Sequence, residues 1–179
     1  MKYRRVYVCG GTYFFTLATY NRLPIFSSRE SNELLFEAIR YTTNRMPFEV
    51  VAYAILPDHM HFIWTLPEGS GDYSTRWRLI KSHFTRNYTQ KGSVGRPASR
   101  KYKMEQDVWQ RRFWEHLIRN PLDLSRHVEY IHYNPIKHGY VNTLMEWEYS
   151  SFQRYVSDGL YTPNWGENTK TWSGTRFME

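Results

Sequence analysis

Residues 48–66 read FEVVAYAILPDHMHFIWTL. Two apolar runs rich in aromatic and β-branched residues flank Pro57-Asp58, a pair suited to a tight turn, so the stretch predicts two strands, Phe48 to Leu56 and His59 to Leu66. The first is almost entirely apolar, as a central strand would be. Side chains alternate along the second, placing Met60, Phe62, Trp64 and Leu66 on one face and His59, His61, Ile63 and Thr65 on the other. The Met60 set is core material and calls for amphipathic helices to cover it.

Those helices are legible on both sides. Upstream, Thr12 to Thr19 reads as a strand, and Ser27 with Glu30 has the form of a capping box. Leu34, Leu35, Ala38 and Ile39 then form a helical stripe that Pro47 terminates. Downstream, Pro67 to Gly71 breaks the chain before a helix with Trp77, Ile80, Phe84 and Tyr88 on one face. Residues 91–104 are Gly, Ser, Pro, Lys and Arg with few apolar side chains, which predicts a mobile basic loop. Trp109 to Arg119 reads as a fourth strand. Asn120-Pro121 opens a third helix that stops at Asn134-Pro135, followed by a short strand at Tyr140-Val141, a helical turn over 150–157 and a polar tail over 164–179. The order β-α-β-β-α-β-α predicts an α+β fold, a ferredoxin-like antiparallel sheet with helices on its faces, in one domain over 1–179.

Composition narrows the function. No run approaches eighteen apolar residues, so no membrane partner is expected, and MKYRRVYVCGG lacks the apolar core and cleavage site of a signal peptide. Cys9 is the only cysteine, which excludes an internal disulfide or a cysteine zinc cluster and suits a reducing cytoplasm. Between residues 76 and 112 eleven lysines and arginines face two acidic residues, a net +9 that leaves −2 for the rest of a +7 chain. Such a concentration attracts a polyanion, although a solvated helix face next to a basic loop has the same composition.

His59 and His61, on one strand face, suit two ligands of one divalent metal, although two strand histidines are more often polar residues on a half-exposed face. Tyr130 and Asn134 are one helical turn apart, so both can point at the same spot if that helix lies over the histidine strand.

The strings LPDHMHFIWTLP, WQRRFWEHLIR and HVEYIHYNPIKHGYV resemble the REP-associated tyrosine transposases, members of the HUH single-strand nucleases. The likeness extends to YRR and GGTYFFT near the start and WEYSSFQRYV near the end, in the same order. HMH is weakly specific; the run Tyr-Ile-x-x-Asn-Pro-x-Lys-His-Gly is highly so. The resemblance implies an HUH endonuclease/transposase-like fold, His59, His61 and Asn134 as ligands of Mg2+ or Mn2+, and Tyr130 as nucleophile. It also implies a 5′-phosphotyrosine intermediate, hairpin single-stranded DNA as partner, and a bacterial, nucleoid-associated cytoplasmic protein for which a monomer suffices, with a dimer left open. Glu129 and Glu148 depart from the family's usual Asp and Pro.

Candidate DNA contacts are Tyr3, Arg4 and Arg5 for unpaired bases, Arg78, Lys81 and Arg86 for stem phosphates, Arg111 and Arg112 between Trp109 and Phe113 as a clamp, and Lys137 for phosphate near the site. Two alternatives stay open: a metal-dependent nuclease or phosphodiesterase without a covalent intermediate, and a catalytically silent hairpin-binding module.

Overall fold

A computed structural model describes residues 5–88 and 108–166. The elements are β1 (Thr12–Ala18), α1 (Arg29–Thr43), β2 (Glu49–Ile55), β3 (His59–Thr65), α2 (Tyr73–Asn87), β4 (Trp114–Leu117), α3 (Pro121–Lys137) and α4 (Phe152–Ser157). The sheet order is β2-β3-β1-β4 with every pairing antiparallel. β1 and β2 therefore run the same way with β3 between them, the split arrangement of a ferredoxin-like sheet. The expected α+β architecture is the observed one.

β3 is central, and its alternation sorts the molecule into two cores. Met60, Phe62 and Trp64 join Leu35, Ala38 and Ile39 of α1 and Trp77, Ile80 and Phe84 of α2 on one face. Trp64 and Trp77 stack there with ring centroids 4.0 Å apart, and Phe48 packs 4.1 Å from Trp64. Burying each such aromatic contributes about 1.5–3 kcal/mol. On the other face Phe14, Ala52, Ala54, Leu56 and Ile63 meet Val128, Tyr130 and Ile131 of α3. The small side chains at 52 and 54 let that helix lie close over β2.

Several local expectations shift. β2 is an edge strand, not a central one; it is apolar because helices cover both its faces. Its outer edge is occupied by residues 149–151, through Ile55 N–H to Tyr149 O, Ser151 N–H to Tyr53 O and an Ala54–Ser150 bridge, which hides the unpaired backbone an edge exposes. The α1 N-cap is Ser28, whose hydroxyl accepts from Ser31 N–H, while Ser27 belongs to the preceding 3-10 turn. α1 stops at Thr43, short of Pro47. β4 is only four residues long, and Trp109 contributes an isolated bridge to Thr19 instead of a strand. No strand forms at Tyr140-Val141.

The third helix does not stop at Pro135 but runs through it to Lys137. A proline near the last turn removes one N–H and leaves the remaining bonds intact. The stop comes from Gly139 at φ 71, with Gly139 N–H on Ile136 O and Tyr140 N–H on Pro135 O, a Schellman closure that needs a left-handed residue. Among the described residues no helix is long and apolar enough to cross a membrane.

Arg76, counted above among the basic residues, is a core group 2% exposed. Its guanidinium donates to Pro47 O at 2.8 Å, Met46 O at 3.2 Å, Asp72 O at 2.7 Å and Ser70 Oγ at 3.0 Å, tying α2 to the α1–β2 connection. Arg76→Ala strands these buried acceptors and is expected to destabilise the fold by about 3 kcal/mol, read as a lower urea midpoint.

Candidate active site

His59 and His61 are held by β3 at the register where Ala18 and Thr16 of β1 stand opposite, with Ala54 of β2 across from His61. Small neighbours on both sides leave room for the imidazoles, whose centroids are 5.1 Å apart. α3 closes over them. Tyr130 brings its ring 5.2 Å from His61 and 5.9 Å from Phe14, so the phenol and the histidines share one face of the sheet. His138, at the C-cap of α3, stacks edge-on 5.0 Å from His59. Lys137, two turns along from Tyr130, places its ammonium 5.1 Å from the phenol ring.

Each imidazole is fixed through Nδ1. His59 Nδ1–H donates to Asp58 Oδ1 at 2.6 Å, and His61 Nδ1 is hydrogen-bonded to Thr16 Oγ1 at 2.9 Å. Both Nε2 atoms are thereby aimed away from the partners that orient them. His59 Nε2, His61 Nε2 and Asn134 Oδ1 are all buried without a hydrogen-bond partner, while Asn134 Nδ2 donates to Tyr130 O at 3.0 Å. Leaving a buried polar atom unpaired costs about 1–3 kcal/mol. Two imidazole nitrogens and an amide oxygen are donor types that fit a divalent cation.

Electrostatics point the same way. Burial pushes the His61 imidazole well below its ordinary pKa, with the charges of His59, Lys137 and His138 adding to the effect. Burial also lowers His59, partly opposed by Asp58. Both shifts favour the neutral ring, the form that coordinates metal.

Two orienting residues escaped the sequence reading. In the sequence Asp58 reads as a turn residue; an acidic side chain directly before the first histidine is the signal that points to it. Thr16 comes from another strand and becomes visible only with the register. The ion pair of Asp58 with Arg22, 3.5 Å away, further fixes the carboxylate. Asp58→Asn keeps an acceptor and removes the charge. It is expected to weaken Mn2+ binding about 10–100-fold, measured by calorimetric titration.

The proposed DNA contacts divide. Lys137 lies in the site. Arg78 and Arg86 are exposed on α2, which covers the opposite face of the sheet. Lys81 donates to Gln110 O at 2.7 Å. Arg5 sits 4.5 Å over the Phe113 ring, donates to Ser74 Oγ and pairs with the buried Glu115 at 3.5 Å. Arg111 and Arg112 are exposed, but Trp109 is core, with its Nε1–H on Thr85 Oγ1, so it offers no stacking platform. Tyr3, Arg4 and the basic stretch 91–104 lie outside the described residues, as does the tail beyond 166.

Residues 7–134 match the family described as "Transposase IS200 like". A protein of Haemophilus influenzae is 43% identical over 166 residues, 93% of each chain. The "REP-associated tyrosine transposase" of Escherichia coli strain K12 is 42% identical over 178 residues, covering 99% of this chain and 98% of that one. A solved structure of a REP-associated tyrosine transposase bound to a REP hairpin superposes with a TM-score of 0.78 at 40% identity, over 100% of this chain and 99% of that one.

Proposed function

The chain belongs to the REP-associated tyrosine transposases, within the IS200-like transposase family, and on that premise we propose that it cuts and rejoins single-stranded DNA at REP-type hairpins with Tyr130 as nucleophile. The observation that carries this reading is Tyr130 with its ring 5.2 Å from His61, whose Nε2, like His59 Nε2 and Asn134 Oδ1, is buried without a hydrogen-bond partner. His59, His61 and Asn134 hold Mg2+ or Mn2+, which when bound supplies positive charge that polarises the scissile phosphate.

Tyr130 Oη attacks phosphorus and the bond from phosphorus to the 3′ oxygen breaks. A 5′-phosphotyrosine and a free 3′-hydroxyl result, and the hydroxyl of the same or another end reverses the step. A phenol with a pKa of about 10 is roughly a thousandth ionised at neutral pH. The Lys137 ammonium, 5.1 Å from the ring, stabilises the developing negative charge on phosphate. Asn134 couples the two halves of the site: its amide donates to the Tyr130 carbonyl while its oxygen serves as ligand.

Arg5, Arg78, Lys81, Arg86, Arg111 and Arg112, with Tyr3 and Arg4, form the DNA-binding complement that grips the hairpin and its unpaired flank. The chain acts as a single-domain monomer in the bacterial cytoplasm, at the nucleoid. The test is incubation with a labelled REP-type hairpin carrying a single-stranded flank, in Mg2+ or Mn2+. A protein–DNA adduct that survives denaturation is expected. Cleavage without an adduct would replace this reading by metal-dependent hydrolysis, and binding without cleavage would reduce the chain to a hairpin-binding module.

A further inference from the structure

A second constellation lies at the other end of α3. His116, on β4, stands opposite Phe14 in the register and so faces the same side of the sheet as the active-site histidines. Asp123 and His127, one turn apart in α3, meet it there. His116 Nε2 is 2.9 Å from Asp123 Oδ2, and His127 Nδ1 is 3.2 Å from Asp123 Oδ1 and 2.7 Å from the Asp123 backbone oxygen. One donor atom from each of the three side chains lies within 4.8 Å of the other two. The two imidazoles stack at 4.7 Å with planes 15° apart. Arg119 N–H donates to Asp123 Oδ2 and holds the carboxylate in place.

We propose that His116, Asp123 and His127 form a second divalent-cation site, selective for a borderline ion such as Zn2+, that clamps β4 to the first turns of α3. Two imidazoles and one carboxylate, with positions left for water, are the donor set such ions take, whereas Mg2+ prefers oxygen. In the metal-free chain His127 Nδ1–H donates to the Asp123 backbone oxygen, and a bound cation would replace that proton. Burial raises Asp123, but the His116 and Arg119 hydrogen bonds outweigh it and keep the group ionised. His116 and Asp123 are each 20% exposed, so an ion can enter from solvent, while His127 anchors the site from within at 1%.

The place gives the site its consequence. His127 is one turn before Tyr130, and Phe14 touches both rings, at 4.9 Å and 5.9 Å. A cation here fixes the start of the helix that carries the nucleophile, independently of the ion at His59 and His61.

The experiment uses the untagged, metal-stripped full chain. Zn2+ stoichiometry is read by calorimetry and by metal analysis after dialysis, and thermal melts are recorded with and without Zn2+. Wild type is expected to bind two equivalents and His59→Ala/His61→Ala one, with Zn2+ still raising the Tm of that variant. His116→Ala is expected to bind one equivalent. If it melts without a cooperative transition, Asp123→Asn is read in its place, and the His59→Ala/His61→Ala chain, unaltered at the second site, decides alone. No Zn2+ bound by His59→Ala/His61→Ala, or as many equivalents retained in a folded His116→Ala as in wild type, would each overturn the proposal.

Discussion

Tyr130→Phe is expected to abolish the denaturation-resistant DNA adduct and to lower strand cleavage by about 1,000-fold or more, the scale set by deleting a covalent nucleophile. The substitution removes one oxygen and keeps the ring, so the packing against His61 at 5.2 Å and Phe14 at 5.9 Å survives and the fold with it. Hairpin affinity, read by fluorescence anisotropy, should change little. Tyr41→Phe, on α1 and distant from the site, serves as the control and should form adduct normally. Adduct at wild-type level in Tyr130→Phe would assign the nucleophile to one of the other tyrosines.

His61→Ala should be nearly as severe for cleavage and mild for stability. The ring is fully buried and its Nε2 unsatisfied, so truncation removes a desolvation cost together with the packing it supplies. Cleavage in Mg2+ or Mn2+ is expected to fall by at least about 100-fold, because the cation loses one of its few protein ligands and with it the charge that stabilises the transition state. Hairpin binding should stay within a few-fold of wild type, since the charge that attracts the DNA backbone resides elsewhere. Unchanged cleavage would show that the two histidines are polar filling, and would leave Tyr130 to act without metal.

The legible parts of the molecule are those in which local pattern and tertiary role coincide. Pro57-Asp58 between two apolar runs could only turn the chain back, and the two-residue period of β3 placed both imidazoles on one face. The pairing of Tyr130 with Asn134 followed from helical spacing. What stayed hidden depended on partners distant in the chain. β2 reads as central because both its faces are buried, yet its outer neighbour is the 149–151 segment and not a strand. Arg76 reads as surface charge because nothing local reveals that Met46 and Pro47 turn their carbonyls toward it. Pro135 reads as a helix stop because a proline's effect depends on how many bonds remain to be broken beyond it, and here the last turn had few. The hydrogen bond between Thr16 and His61, and the meeting of His116 with Asp123 and His127, cross between strands or between strand and helix.

The two halves of the active site come from opposite sides of the fold's connectivity: the imidazoles from the middle strand of the sheet, the phenol from a helix added after the last strand. A nascent chain therefore emerges from the ribosome with His59 and His61 some seventy residues ahead of Tyr130. On the proposed chemistry, the polypeptide gains its means of bonding covalently to DNA only when that helix docks.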